Sequence, residues 1–178
     1  MRSELRPQYL LPFPTGSRYR LTQGNCGNAS HTGRFRYSFD FQMPIGSPVV
    51  AARVGIVRRI RDDGPDGTNR LGDENFVIID HGDGEMSRYI HLAQRGSRVE
   101  LGESVGPGDT IALSGHSGRS AFPHLHFDVV SDCGSGRCTT IPAAFLDALP
   151  PIPTEPGLYG AAGGDRGPDG LNRPGSRR

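Results

Sequence analysis

A chain of 178 residues is long enough for one domain with a buried core and short for two. Only 34% of it is hydrophobic, and 26 glycines with 15 prolines interrupt it too often for a helical bundle, so short strands joined by turns are expected. The 20 basic and 19 acidic residues leave a net charge of +1, which excludes a general nucleic-acid binder, and no apolar run is long enough for a transmembrane segment.

Met1 to Pro7 lack the apolar core of a signal peptide. Residues 48–52 and 55–61 read as strands, the second with apolar and arginine positions partly alternating. Residues 75–80 form a buried-strand pattern that ends in a glycine-rich turn at 81–84, and 86–92 return as the second arm of a hairpin. Residues 99–105 and 110–113 flank another turn, and 124–130 alternate cleanly. The one expected helix is short, at 143–148. The fold class is therefore all-β, a single small antiparallel β domain. We place the domain at residues 1–150. Residues 151–178, rich in Pro, Gly and Arg, form a tail with too little apolar surface to offset its ordering entropy, and disorder is expected there.

Of three cysteines, Cys133 and Cys138 frame a four-residue loop that a disulfide can close in an oxidising compartment; two free thiols are the alternative. Cys26 is left over. No pair has the spacing of a zinc or redox motif.

The histidines carry the chemistry. In the strand at 124–130, a period of two sends His124, His126 and Asp128 to one face and Leu125, Phe127 and Val129 to the other. One face can pack on the core while the other lines a groove. In the segment from His31 to Phe41, Phe39 and Phe41 share a face and leave Asp40 on the opposite one. One His and one Asp from this segment, with one His of the later strand, match the ligand count of a catalytic zinc site with a position left open. His91 on a strand would share the face of Tyr89 and can serve as a tolerated edge residue or as a hydrogen-bond donor to an oxyanion. His81 and His116 sit in turns beside glycine and read as structural.

In order, these elements are His31 with Asp40, Tyr89-Ile90-His91-Leu92, Gly115-His116-Ser117-Gly118, and Pro123-His124-Leu125-His126-Phe127. That order resembles the lysostaphin-type (LytM-like) zinc metallopeptidase family, and the segments at 44–52 and 79–84 resemble that family's strands and turns. The resemblance spans roughly residues 10 to 131, an ordinary domain size. It implies a duplicated-hybrid-motif or barrel-sandwich β domain with one Zn2+ per chain at the floor of a groove. It implies His31, Asp40 and His126 as metal ligands, His124 as general base on water, and His91 as support for the polarised carbonyl. The activity implied is zinc metalloendopeptidase, with peptidoglycan peptide as substrate, and the place implied is the cell envelope or the medium. A monomer is expected, with no nucleic acid as partner.

The chain departs from the pattern at one point. Many members have three residues between the first His and the Asp, whereas eight separate His31 from Asp40. The extra residues must loop out if both side chains are to reach one ion. No His-Glu-x-x-His sequence occurs, so a histidine must replace the glutamate base of common zincins. The alternative within this fold is a non-catalytic cell-wall binding or hydrolase-activating module, which typically lacks a ligand position. A biotinyl- or lipoyl-carrier reading, suggested by the turn at 105–109, fails because every basic residue is Arg and there is no Lys to modify.

Overall fold

The computed structural model describes residues 8–131 and 138–161. Twelve strands and one helical turn follow along these residues: β1 (Arg18–Gln23), a 3-10 turn (Gly33–Phe35), β2 (Phe39–Gln42), β3 (Pro48–Val50), β4 (Gly55–Arg61), β5 (Phe76–Asp80), β6 (Glu85–Ile90), β7 (Leu92–Ser97), β8 (Ser104–Val105), β9 (Thr110–Ser114), β10 (His124–Ser131), β11 (Thr140–Ile141) and β12 (Gly157–Gly160). All pairings between them are antiparallel, as expected of an all-β domain. The large sheet runs β12-β1-β2-β10-β6-β5-β4-β8 with β11 beside β10, and β3-β9-β7 form a second, smaller sheet.

Alternation decides the core. Phe39 and Phe41 of β2 and Leu125, Phe127 and Val129 of β10 are fully buried on one face. They pack with Leu11, Phe13 and Phe145, and the two sheets share this one cluster. Burial of such side chains, at about 1.5–3 kcal/mol each, is the main force holding the strands in register.

Three expectations are corrected. The strand expected at 86–92 breaks at His91, whose φ of 65° ends β6 and starts β7. Residues 143–148 form no helix. Phe145 instead makes a parallel bridge with Tyr9, and Phe145 and Leu146 donate their amides to Pro151 and Tyr9 carbonyls. A six-residue helix gains too few internal hydrogen bonds to compete with these partners. The domain also continues past residue 150. β12 pairs with β1 from Arg18 to Leu21, Tyr159 is buried, and its hydroxyl bonds both the amide and the carbonyl of Thr154. The remainder of the expected tail, residues 162–178, lies outside the described residues. So does Cys133, and with it the expected pairing to Cys138; Cys26 is a free, exposed thiol. No helix among the described residues is long and apolar enough to cross a membrane.

Candidate metal centre

The sheet register assembles the site. β10 lies between β2 and β6, setting His126 opposite Asp40 on one side and Asp128 opposite Arg88 on the other. The polar faces of these strands floor a groove of ≈ 1430 Å³. His31 arrives from the loop after β1. The stretch between His31 and Asp40 does loop out, as the 3-10 turn, and carries Arg34 and Phe35 to the groove wall.

His31, Asp40 and His126 are all buried, and one ligand atom from each lies within 4.8 Å of the others. The Nδ1 of His31 lies 2.9 Å from the Gly24 carbonyl. A carbonyl only accepts, so Nδ1 carries the proton and Nε2 presents its lone pair. That Nε2 is buried, 3.2 Å from Asp40 Oδ2, and makes no hydrogen bond of normal geometry. An unsatisfied buried nitrogen beside a carboxylate is costly unless a cation completes it. The donor set, two imidazoles and one carboxylate, suits zinc. A metal therefore fits these residues.

His126 reaches two carboxylates, Asp40 Oδ1 from Nδ1 at 2.9 Å and Asp128 Oδ2 from Nε2 at 3.1 Å. Burial disfavours its charge, but the bonds to Asp128 and Asp40 outweigh burial and raise its pKa to about 9 without metal. Burial likewise opposes the charge on Asp40, yet the hydrogen bond from His126 and the His31 imidazole beside it hold its carboxyl well below the usual range. Asp128 behaves alike, held at about 2 by His126 and Arg88 despite complete burial.

His124 and His91 face this trio without joining it. The Nδ1 of His124 donates to the Phe122 carbonyl at 2.8 Å, leaving Nε2 as a lone pair 3.7 Å from Asp40 Oδ1. Burial lowers its pKa, with Asp40 only partly opposing. His91 would face the core with Tyr89 if β6 ran on; its left-handed backbone turns the ring into the groove instead, with its centroid 4.6 Å from that of His124. Such a backbone costs roughly 1–2 kcal/mol for a residue with a Cβ. Its Nδ1 donates to the Ser117 carbonyl at 2.8 Å. Burial, then the charges of His124 and His126, push its pKa down to about 3.

Several supporting residues escape a reading of the sequence. Gln23 donates to Asp40 Oδ2 at 3.0 Å and to Ser30, and its carbonyl accepts from the Ala29 and Ser30 amides, tying the His31 loop to β2. The signal was present: Gln23 is a polar residue at a buried phase of β1, after Leu21. Ser120 joins His116 Nδ1 and His124 Nδ1. Buried Asn75 bonds the Gly64 and Leu92 backbone, and Ser117 donates to Leu92, bracing the His91 turn. Gly115 permits this packing, because a Cβ there would sit 2.3 Å from the Ala93 amide nitrogen. His81 bonds Val54 and Ser87, away from the groove, as its turn position suggested.

A model of peptidase family M23 matches residues 34–136. The peptidoglycan DD-endopeptidase ShyA of Vibrio cholerae is 34% identical over 122 residues, covering 66% of this chain and 26% of that protein. Lysostaphin of Staphylococcus simulans is 31% identical over 132 residues, 74% of this chain and 24% of its own length. Among solved structures, a zinc containing peptidase from Vibrio cholerae aligns with TM-score 0.54 and 29% identity, covering 75% of this chain and 39% of that one. The chain thus spans about a quarter of the length of these curated relatives.

Proposed function

Because this chain belongs to peptidase family M23, we propose that it is a zinc-dependent endopeptidase that hydrolyses peptide cross-links of bacterial peptidoglycan, acting in the cell envelope or outside the cell. The observation that carries the reading is the convergence of three ligand atoms within 4.8 Å on a groove floor that two further imidazoles also face. His31 through Nε2, Asp40 through its carboxylate and His126 through Nδ1 would hold one zinc ion per chain. When bound, zinc supplies a Lewis acid for the scissile carbonyl and makes water acidic enough to give up a proton near neutral pH.

The remaining steps belong to the protein. His124 is neutral near pH 7, and its bare Nε2 points to the ligand side of the groove. It takes the proton of the attacking water and passes it to the leaving amine. His91 plays a different part. With Nδ1–H committed to Ser117, the neutral ring offers only a lone pair at Nε2, so it accepts there. We assign it to align the attacking water with His124 rather than to donate to the oxyanion.

Zinc analysis of purified protein, with digestion of peptidoglycan and Gly-rich peptides and mass analysis of the products, tests the proposal. One equivalent of zinc and cleaved peptide bonds are expected. A zinc-loaded protein that cleaves none of these substrates would overturn the peptidase assignment, and binding without turnover would make it a binding or hydrolase-activating module.

A further inference from the structure

The extra residues between His31 and Asp40 do more than loop out. Phe35, at the end of the 3-10 turn, sets its ring edge-on to the His126 ring at 6.2 Å and 5.8 Å from Cζ of Arg88. Arg88 in turn grips Asp128 across the β6–β10 pair, Nε to Oδ1 and Nη2 to Oδ2, both at 2.6 Å. The Asp128 side chain has no exposure and that of Arg88 only 15%. Asp128 Oδ2 also accepts from His126 Nε2 at 3.1 Å and from the Ser38 hydroxyl at 3.3 Å.

Four donors therefore converge on one buried carboxylate, and only one of them is the imidazole. A buried carboxylate without its cation is strongly unfavourable, so Asp128 cannot serve His126 unless Arg88 accompanies it. The planar fork of an arginine also fixes the plane of the carboxylate, which the point charge of a lysine does not. Fixing that plane fixes the ring angle of His126 and would keep a proton on Nε2 when a metal takes Nδ1.

We propose that Arg88 and Phe35 are positioning residues that act through Asp128 and by ring packing to hold His126 with Nδ1 turned toward Asp40 and His31. Phe35 closes the groove side of the ion pair against water. The device deepens the reading above, since it rests on His126 as a metal ligand. The lengthened His31–Asp40 spacing then has a use: it delivers the aromatic ring that covers the device.

The test compares Asp128→Asn, Arg88→Met, Arg88→Lys and Phe35→Ala with the unaltered protein. Zinc affinity is measured by competition with a chromophoric chelator, the visible spectrum of the cobalt-substituted protein reports ligand geometry, and circular dichroism reports folding. Asp128→Asn and Arg88→Met should weaken zinc binding 10–100-fold, the usual effect of losing such a support, and should shift the cobalt bands. Arg88→Lys should fall between these and wild type, and Phe35→Ala should alter the cobalt bands in the same direction. Arg88→Lys and Phe35→Ala leave no carboxylate without a cation and decide the matter if Arg88→Met fails to fold. Wild-type zinc affinity and cobalt spectra in folded Asp128→Asn and Arg88→Lys would overturn the proposal and leave the ion pair as a link between strands. An unaltered protein that takes up no zinc would instead overturn the ligand reading beneath it, a different result in the same experiment.

Discussion

Replacing His124 by Ala separates metal binding from chemistry. Its Nε2 lies 3.7 Å from Asp40 Oδ1, but the three atoms that converge within 4.8 Å come from His31, Asp40 and His126. Among the described residues His124 is outside that trio, so His124→Ala should keep close to one equivalent of zinc. The fold should hardly suffer, because the Phe122 carbonyl that loses the His124 donor keeps the Ser120 hydroxyl at 2.7 Å. No buried acceptor is orphaned, and the space left opens on the groove, so a loss of about 1 kcal/mol is expected. The chemical step should slow by about 10²–10⁴-fold, the range for a positioned acid–base group, equal to about 3–5 kcal/mol of barrier. Because burial lowers the pKa of His124 below 6.5, the acid limb of kcat/KM should lie below that pH in the wild type and vanish in the variant. Metal analysis and single-turnover cleavage across pH 5–8 would measure both effects. Loss of zinc would make His124 a ligand, and full activity with an unchanged pH profile would refute its role as base.

His126→Ala should lose stoichiometric zinc while circular dichroism stays that of a β protein; a full equivalent retained would refute the ligand assignment. Without metal, both His126 nitrogens lie within hydrogen-bond reach of carboxylates and its pKa is raised to about 9, so the ring is a cation at pH 7. Zinc loading at pH 7 should therefore release about one proton, read by calorimetry in buffers of different ionisation enthalpy. The same raised pKa makes its stabilisation of the metal-free protein complete below about pH 6.5 and lost as pH rises through about 9. The thermal midpoint of chelator-treated protein should fall over that window, and a flat profile would refute the coupling. Ending the chain at residue 150 removes β12 and buried Tyr159 and should cost about 3 kcal/mol or more in urea unfolding, as loss of a buried aromatic does. An unchanged midpoint would show that β12 contributes nothing.

Local, periodic features of the fold are legible in the sequence. Alternation along 124–130 assigns His124, His126 and Asp128 to one face, and Phe39 and Phe41 isolate Asp40, because a strand has only two faces and apolar burial selects one. The order of the histidine-bearing segments points to the metallopeptidase family without any contact between them. Register belongs to the tertiary structure: Asp40 meets His126, and Arg88 meets Asp128, only because β10 sits between β2 and β6. The left-handed turn at His91 reverses the face that alternation assigns it, a choice enforced by the Ser117 carbonyl and the braced loop behind it. Arg88 and Phe35 gain their meaning from His126 and Asp128, distant in sequence, Gln23 takes its place at the site through Asp40 across the β1–β2 pair, and β12 forms only because the edge of β1 offers it hydrogen bonds. Periodicity reports which side of a strand faces inward; which strands become neighbours depends on the packing of the whole core, which no single segment contains.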